Sequence, residues 1–117
     1  MKFFNQLYKY ACSSPNVIAI EDDEQKITYR QLFNLVCNNR KHLMENGICK
    51  CMVAYKVTKQ LDFVVNLLSL FATECWVIPI PPDVKISASS IVHKVKCINS
   101  NLFIRDAETN GDVFDAD

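Results

Sequence analysis

The sequence predicts an α/β fold: an N-terminal β-hairpin, then alternating helices and strands forming a mostly parallel sheet with helices on both faces. Three observations carry this. Apolar runs of strand length alternate with segments whose apolar residues recur every three to four positions. The runs around Val53–Ala54 and Val77–Ile78 are nearly continuous rather than alternating, as in strands covered on both sides. The chain of 117 residues, 50% of them apolar and 22% charged, is the size and composition of one globular domain.

Residues 2–12 place Phe3, Phe4, Leu7, Tyr8 and Ala11 at helical spacing, and Ser13-Ser14-Pro15-Asn16 stops that helix. Val17–Ile20 and Lys26–Tyr29 read as the two strands of a hairpin around the polar turn Asp22–Gln25. Thr28 and Gln31 have the spacing of a capping box, so a helix starts there. Its apolar stripe is Tyr29, Leu32, Phe33, Val36, Leu43 and Met44, and Gly47 stands where a left-handed cap requires glycine. Residues 52–57 form a strand. Thr58 is placed to cap a second amphipathic helix through Leu61, Val64, Val65, Leu68 and Phe71 or Ala72. Trp76–Ile80 is the next strand, stopped by Pro81-Pro82, and Pro79 places it near a sheet margin. Ile91, Val92, Val95 and Ile98 predict a helix over residues 89–99, capped by Ser87, Ser89 or Ser90. Leu102–Ile104 is a last strand. Residues 1–105 then form one unit. Residues 106–117, with Asp106, Glu108, Asp112, Asp115 and Asp117 and no basic residue, are an acidic, flexible tail.

Thirteen basic and thirteen acidic residues balance, which argues against a nucleic-acid or membrane surface. Lys9 interrupts the first apolar run, so no secretory signal is expected, and no apolar stretch approaches the roughly 20 residues of a membrane span. A cytoplasmic protein is the expectation. Disulfides are not expected among its six cysteines. The one close pair, Cys49 and Cys51, lacks the two-residue spacing and second pair of a zinc site. Cys37, Cys75 and Cys97 read as small core residues.

Phosphate-binding loops need glycines, and this chain has only Gly47 and Gly111. His42 and His93 read as surface residues outside any catalytic triad. Glu21–Glu24 lacks the alternation and turn glycine of a calcium loop. Trp76 is expected in the core.

Taken in order, the elements resemble the opening of the acyl-adenylate-forming (AMP-binding) ligases: acyl-CoA synthetases, luciferases and peptide-synthetase adenylation domains. The resemblance rests on Pro15 and Ala19, on Thr28-Tyr29-Arg30-Gln31-Leu32, and on the helix ending at Gly47. Beyond these it rests on Val53-Ala54, Phe63 to Ala72, and Ile78-Pro79-Ile80-Pro81. It covers residues 2–105. The chain departs from the family at Asn39-Arg40, at the Cys49–Met52 loop, and at Glu74-Cys75, where the family has Ala-Gly.

The resemblance implies the N-terminal part of a ligase that joins a carboxylate to AMP and passes the acyl group to CoA or a carrier-protein thiol. ATP and Mg²⁺ are implied for a complete member. The family's ATP-holding segments do not map onto this sequence, so no catalytic, cofactor-binding or metal residue is assigned, and the chain alone is expected to be inert. Its partner would be the remainder of the ligase or another chain, including a second copy. The alternative is a stand-alone, truncated relative acting as a non-catalytic interaction or dimerisation module. A third reading, an unrelated small α/β enzyme, calls for a pocket with perturbed titratable groups.

Overall fold

The computed structural model describes residues 2–56, 60–80, 96–98 and 104–106. Helix α1 (Lys2–Ser13) leads into a hairpin of β1 (Ile18–Glu21) and β2 (Lys26–Thr28). Helix α2 (Tyr29–Glu45), β3 (Met52–Lys56), α3 (Gln60–Ala72), β4 (Trp76–Ile80), β5 (Lys96–Ile98) and β6 (Ile104–Asp106) follow.

The capping box forms as the sequence predicts. The Gln31 N–H donates to Thr28 Oγ1 at 3.2 Å, and the Thr28 N–H donates to Gln31 Oε1 at 2.9 Å. Two more donors of the first turn find carbonyls of the loop before β1. The Tyr29 N–H reaches Val17 O at 2.9 Å and the Arg30 N–H reaches Pro15 O at 3.2 Å. The start of α2 is thereby tied to the end of α1.

At its other end α2 closes in a Schellman motif. The Ile48 N–H donates to Leu43 O at 2.8 Å and the Gly47 N–H to Met44 O at 3.1 Å. Gly47 holds φ +77°, and Leu43 and Ile48 meet in the core, as this motif favours. Helix α3 ends in the same way without glycine. The Cys75 N–H reaches Leu70 O at 3.1 Å, the Glu74 N–H reaches Phe71 O at 2.9 Å, and Glu74 itself takes φ 60°.

The hairpin forms a separate two-stranded antiparallel sheet. The main sheet has the order β4-β3-β5-β6, with β3 parallel to both β4 and β5 and β5 antiparallel to β6. The α/β arrangement is as expected: the hairpin stands apart from the main sheet, and two of that sheet's three strand pairings are parallel. The described helices pack α1 on α2 and α2 on α3. They meet the sheet on one face, where Val53, Tyr55, Val77 and Ile98 join Leu43, Ile48, Phe63 and Leu70. A second cluster joins Leu7, Ile27, Leu32, Val36, Leu61, Val65 and Ala72 across the hairpin and the three helices. Ala72, not Phe71, supplies the inward residue at the end of α3, and Met44 is largely exposed.

The helix expected over residues 89–99 is corrected over its last part. Lys96–Ile98 form a strand in register with Val53–Tyr55. Ladder bonding and full burial of Cys97 and Ile98 override a helical spacing that rests on Ile98 alone in this segment. Residues 89–95, the Thr58 cap, and Leu102–Phe103 lie outside the described residues. The expected last strand is found at Ile104–Asp106.

Candidate functional site

Among the described residues, those that the sequence analysis weighed for chemistry do not converge. His42 is exposed on the last turn of α2, and His93 lies outside the described residues. The acidic run is a turn: Asp22 Oδ1 accepts the Glu24 and Gln25 N–H groups, both at 2.8 Å, and the Asp22 N–H donates to Gln25 O at 3.0 Å. Among the described residues no three His, Cys, Asp or Glu side chains are gathered to hold a metal ion. Cys75 and Cys97 are buried, Cys37 half-buried, and Cys12 and Cys49 exposed.

What periodicity did not single out is a polar seam between α2, α3 and β3. Asn39 donates to Asn66 Oδ1 at 3.3 Å and to Ser69 Oγ at 3.2 Å. Asn66 donates to the phenol oxygen of Tyr55 at 3.2 Å, and Ser69 donates to Val65 O at 2.8 Å. Tyr55 is fully buried and stacks on Phe63 at 5.7 Å. Burial pushes its phenol pKa up; the Asn66 bond opposes this and the Asp62 charge adds to it. Buried side-chain polar atoms are all partnered among the described residues, so the seam is structural. Asn39 was a visible departure from the ligase pattern, but its partners lie 27 and 30 residues away in sequence.

The other departures are also compensated within the chain. Arg40 donates through Nε to Ala72 O at 3.3 Å, placing a cation on the last carbonyls of α3, and its guanidinium lies 5.4 Å from the Phe4 ring centre. Lys50, at φ 51°, donates its N–H to Thr73 O at 2.9 Å, and its ammonium stands 3.9 Å from Glu74. These residues line a cleft of about 310 Å³ with Cys49. Two other clefts lie beside the hairpin, one along α2 and one under the acidic turn. Cys37, Cys51 and Tyr55, whose pKa values are displaced upward, line none of the three.

The exposed apolar feature is the margin of the main sheet. Among the described strands β4 lies at the edge, which suits Pro79 because a proline has no N–H to give. On the face away from the helices stand Met52, Ala54, Trp76, Ile78, Ile80 and Cys97. Ala54, Ile80 and Cys97 are buried, but Trp76 is 71% exposed and Met52 and Ile78 about 40%. The expectation that Trp76 sits in the core is corrected: it stands at the first position of an edge strand, where described elements do not reach across it. An apolar edge of this kind is the candidate functional surface, and its chemistry is that of an interface.

This geometry agrees with comparison to solved structures. The NpsA N-terminal subdomain of Klebsiella oxytoca, in complex with 3-hydroxyanthranilyl-AMSN, superposes with a TM-score of 0.62 at 23% identity, over 71% of this chain and 21% of that one. The likeness is one of fold. An artificially fused adenylation–PCP di-domain from the same organism gives 0.65 at 21% identity, over 74% of this chain and 17% of that one. IdnL1 gives 0.62 at 16% identity, over 95% of this chain and 29% of that one. The chain thus shares its fold with a part of each of these structures. This chain spans under a third of the length of these structures. No protein-family model matches the sequence, and no similar sequence was found among curated proteins. Of the two glycines in the sequence, Gly47 is engaged as a helix cap and Gly111 lies outside the described residues.

Proposed function

We propose that this chain is the opening part of an ATP-dependent carboxylate-adenylating ligase, working in the cytoplasm. The complete enzyme would form an acyl-AMP and transfer the acyl group to CoA or a carrier-protein thiol. The ordered sequence resemblance carries the reading, and the likeness in fold to the adenylation–PCP di-domain over 74% of this chain supports it. The Thr-Tyr-x-Gln-Leu segment, which is built here as a working capping box, supports it. This piece contributes scaffold: the hairpin, the α2–α3 layer and the first strands of the sheet. Adenylation requires charge stabilisation at the transferring phosphorus, and the family's ATP-holding segments do not map onto this sequence, so the chain is expected to be inert alone. Two measurements test this. Acid-dependent ATP–pyrophosphate exchange by the purified chain is expected to be absent; robust exchange refutes it. The transcript read through the Asp117 codon is expected to continue into a Ser/Thr/Gly-rich loop with a lysine.

A second reading, a stand-alone interaction module, is favoured by the exposed Trp76 edge and by the compensation of the family departures within the chain itself. It expects a stop after Asp117 and an assembled species in light scattering. A monodisperse monomer without a partner counts against it.

A further inference from the structure

The sulfurs of Cys51 and Cys75 lie 3.8 Å apart, close to van der Waals contact. Each cysteine immediately precedes a strand, Cys51 before β3 and Cys75 before β4, and these strands are parallel with Met52 opposite Trp76. The two cysteines continue that register by one position. The Trp76 N–H donates to Cys51 O at 2.9 Å, which fixes the two backbones side by side. Neighbouring strands lie about 4.8 Å apart, inside the roughly 4.4–6.8 Å between α-carbons that a disulfide spans. Closing the gap therefore requires side-chain rotation rather than backbone movement. Cys75 belongs to the main core cluster and Cys51 packs against it, half-exposed.

We propose that Cys51 and Cys75 form a reversible disulfide that staples the entry of β3 to the entry of β4, a modification site independent of the ligase reading. The oxidant is a small-molecule disulfide such as oxidised glutathione. The Cys51 thiolate attacks one of its sulfurs, breaking that S–S bond and releasing one thiolate. The Cys75 thiolate then attacks Cys51 Sγ in the mixed disulfide and expels the second. Two protein thiols become one disulfide, one disulfide becomes two thiols, and the protons leave with the released thiols. The Thr73 hydroxyl donates to Leu70 O at 2.8 Å, so its oxygen, 3.2 Å from Cys75 Sγ, is placed to accept from the Cys75 thiol and hold that sulfur beside Cys51. The closed ring spans residues 51–75, enclosing β3 and α3 beneath the exposed Trp76 edge. Cys12 and Cys49 are the more exposed thiols and react first, so the pair is distinguished at equilibrium rather than by rate.

The test equilibrates the full chain in reduced and oxidised glutathione at stepped ratios, quenches with acid, alkylates free thiols and maps peptides by mass. Cys51–Cys75 is expected to exceed every other intrachain disulfide by about tenfold, with Cys12 and Cys49 carrying only glutathione. Phenylarsine oxide, which bridges neighbouring dithiols, is expected to block its formation. Cys49→Ala is expected to leave it unchanged. Dominance of Cys49–Cys51 or Cys49–Cys75 overturns the proposal. So does persistence of Cys51 and Cys75 as thiols at ratios where Cys49 is fully glutathionylated. The mapping on the unsubstituted chain decides the matter even where a variant fails to fold.

Discussion

Replacing Glu74 with glycine is expected to stabilise this protein. Glu74 occupies the left-handed position of the Schellman motif that ends α3, at φ 60°. A residue with a β-carbon pays about 1–2 kcal/mol to sit there, and glycine does not. Two terms oppose the gain. Glycine adds about 0.4–1 kcal/mol of freedom to the unfolded chain. The contact with Lys50, at 3.9 Å between side chains 74% and 50% exposed, is lost, and a pair so solvated contributes at most a few tenths of a kcal/mol. The balance is a gain of about 0.5 kcal/mol, or about 2 °C in Tm for a domain of this size. Glu74→Ala is the control, because it loses the same ion pair and retains the backbone strain. Urea unfolding monitored by circular dichroism should raise the midpoint for Glu74→Gly by about 0.3–0.5 M and leave it level or lower for Glu74→Ala. If both variants lose stability equally, the side-chain contact outweighs the backbone term and the reasoning fails.

The mirror substitution, Gly47→Ala, meets no atom within 4 Å of its new β-carbon, so its cost of about 1 kcal/mol in the same assay is purely conformational. Thr28→Ala breaks the capping box and should cost about 1 kcal/mol, lowering the thermal midpoint. Tyr55→Phe removes the bond from Asn66 and should cost about 1 kcal/mol at neutral pH. Its effect should change with pH. The folded-state pKa of Tyr55 lies above the ordinary 10.0, so the neutral phenol's contribution is complete below pH 10 and is lost as pH rises through the raised value. The Tyr55→Phe protein should therefore lose less stability between pH 9 and 11 than its parent, as measured by urea midpoints. Trp76 is the sole tryptophan and is 71% exposed. Its fluorescence should be quenched readily by iodide, and protection from iodide on assembly would report that the β4 edge is covered.

The local elements were legible where short-range chemistry decides them. Thr28, Gln31 and Gly47 act on backbone groups within a few residues of themselves, and each has the role its spacing predicts. The strand at Trp76–Ile80 was likewise found at its predicted limits. Legibility failed where partners are remote. The strand at Lys96–Ile98 exists because Val53–Tyr55 lie beside it, and three residues hold too little pattern to outweigh a helical reading. Trp76 was misplaced because bulk and hydrophobicity favour burial, while its position on an edge strand is a property of strand order. The candidate interface was therefore hidden in the sequence, although Pro79 marked the margin on which it lies.

By itself the sequence determined the helix caps, the hairpin, the parallel β3–α3–β4 unit and the resemblance to adenylating ligases, because each is written in residues close together or in their order. Only the tertiary structure decided which departures from that resemblance are compensated. Arg40 on the end of α3, Lys50 beside Glu74, Asn39 on Asn66 and Ser69, and Cys51 against Cys75 are all meetings of residues 24 to 32 positions apart. The physical reason is the same for each. A side chain's partner across a packed seam is set by helix rotation and strand register, which periodicity constrains to a face and only folding fixes to an atom.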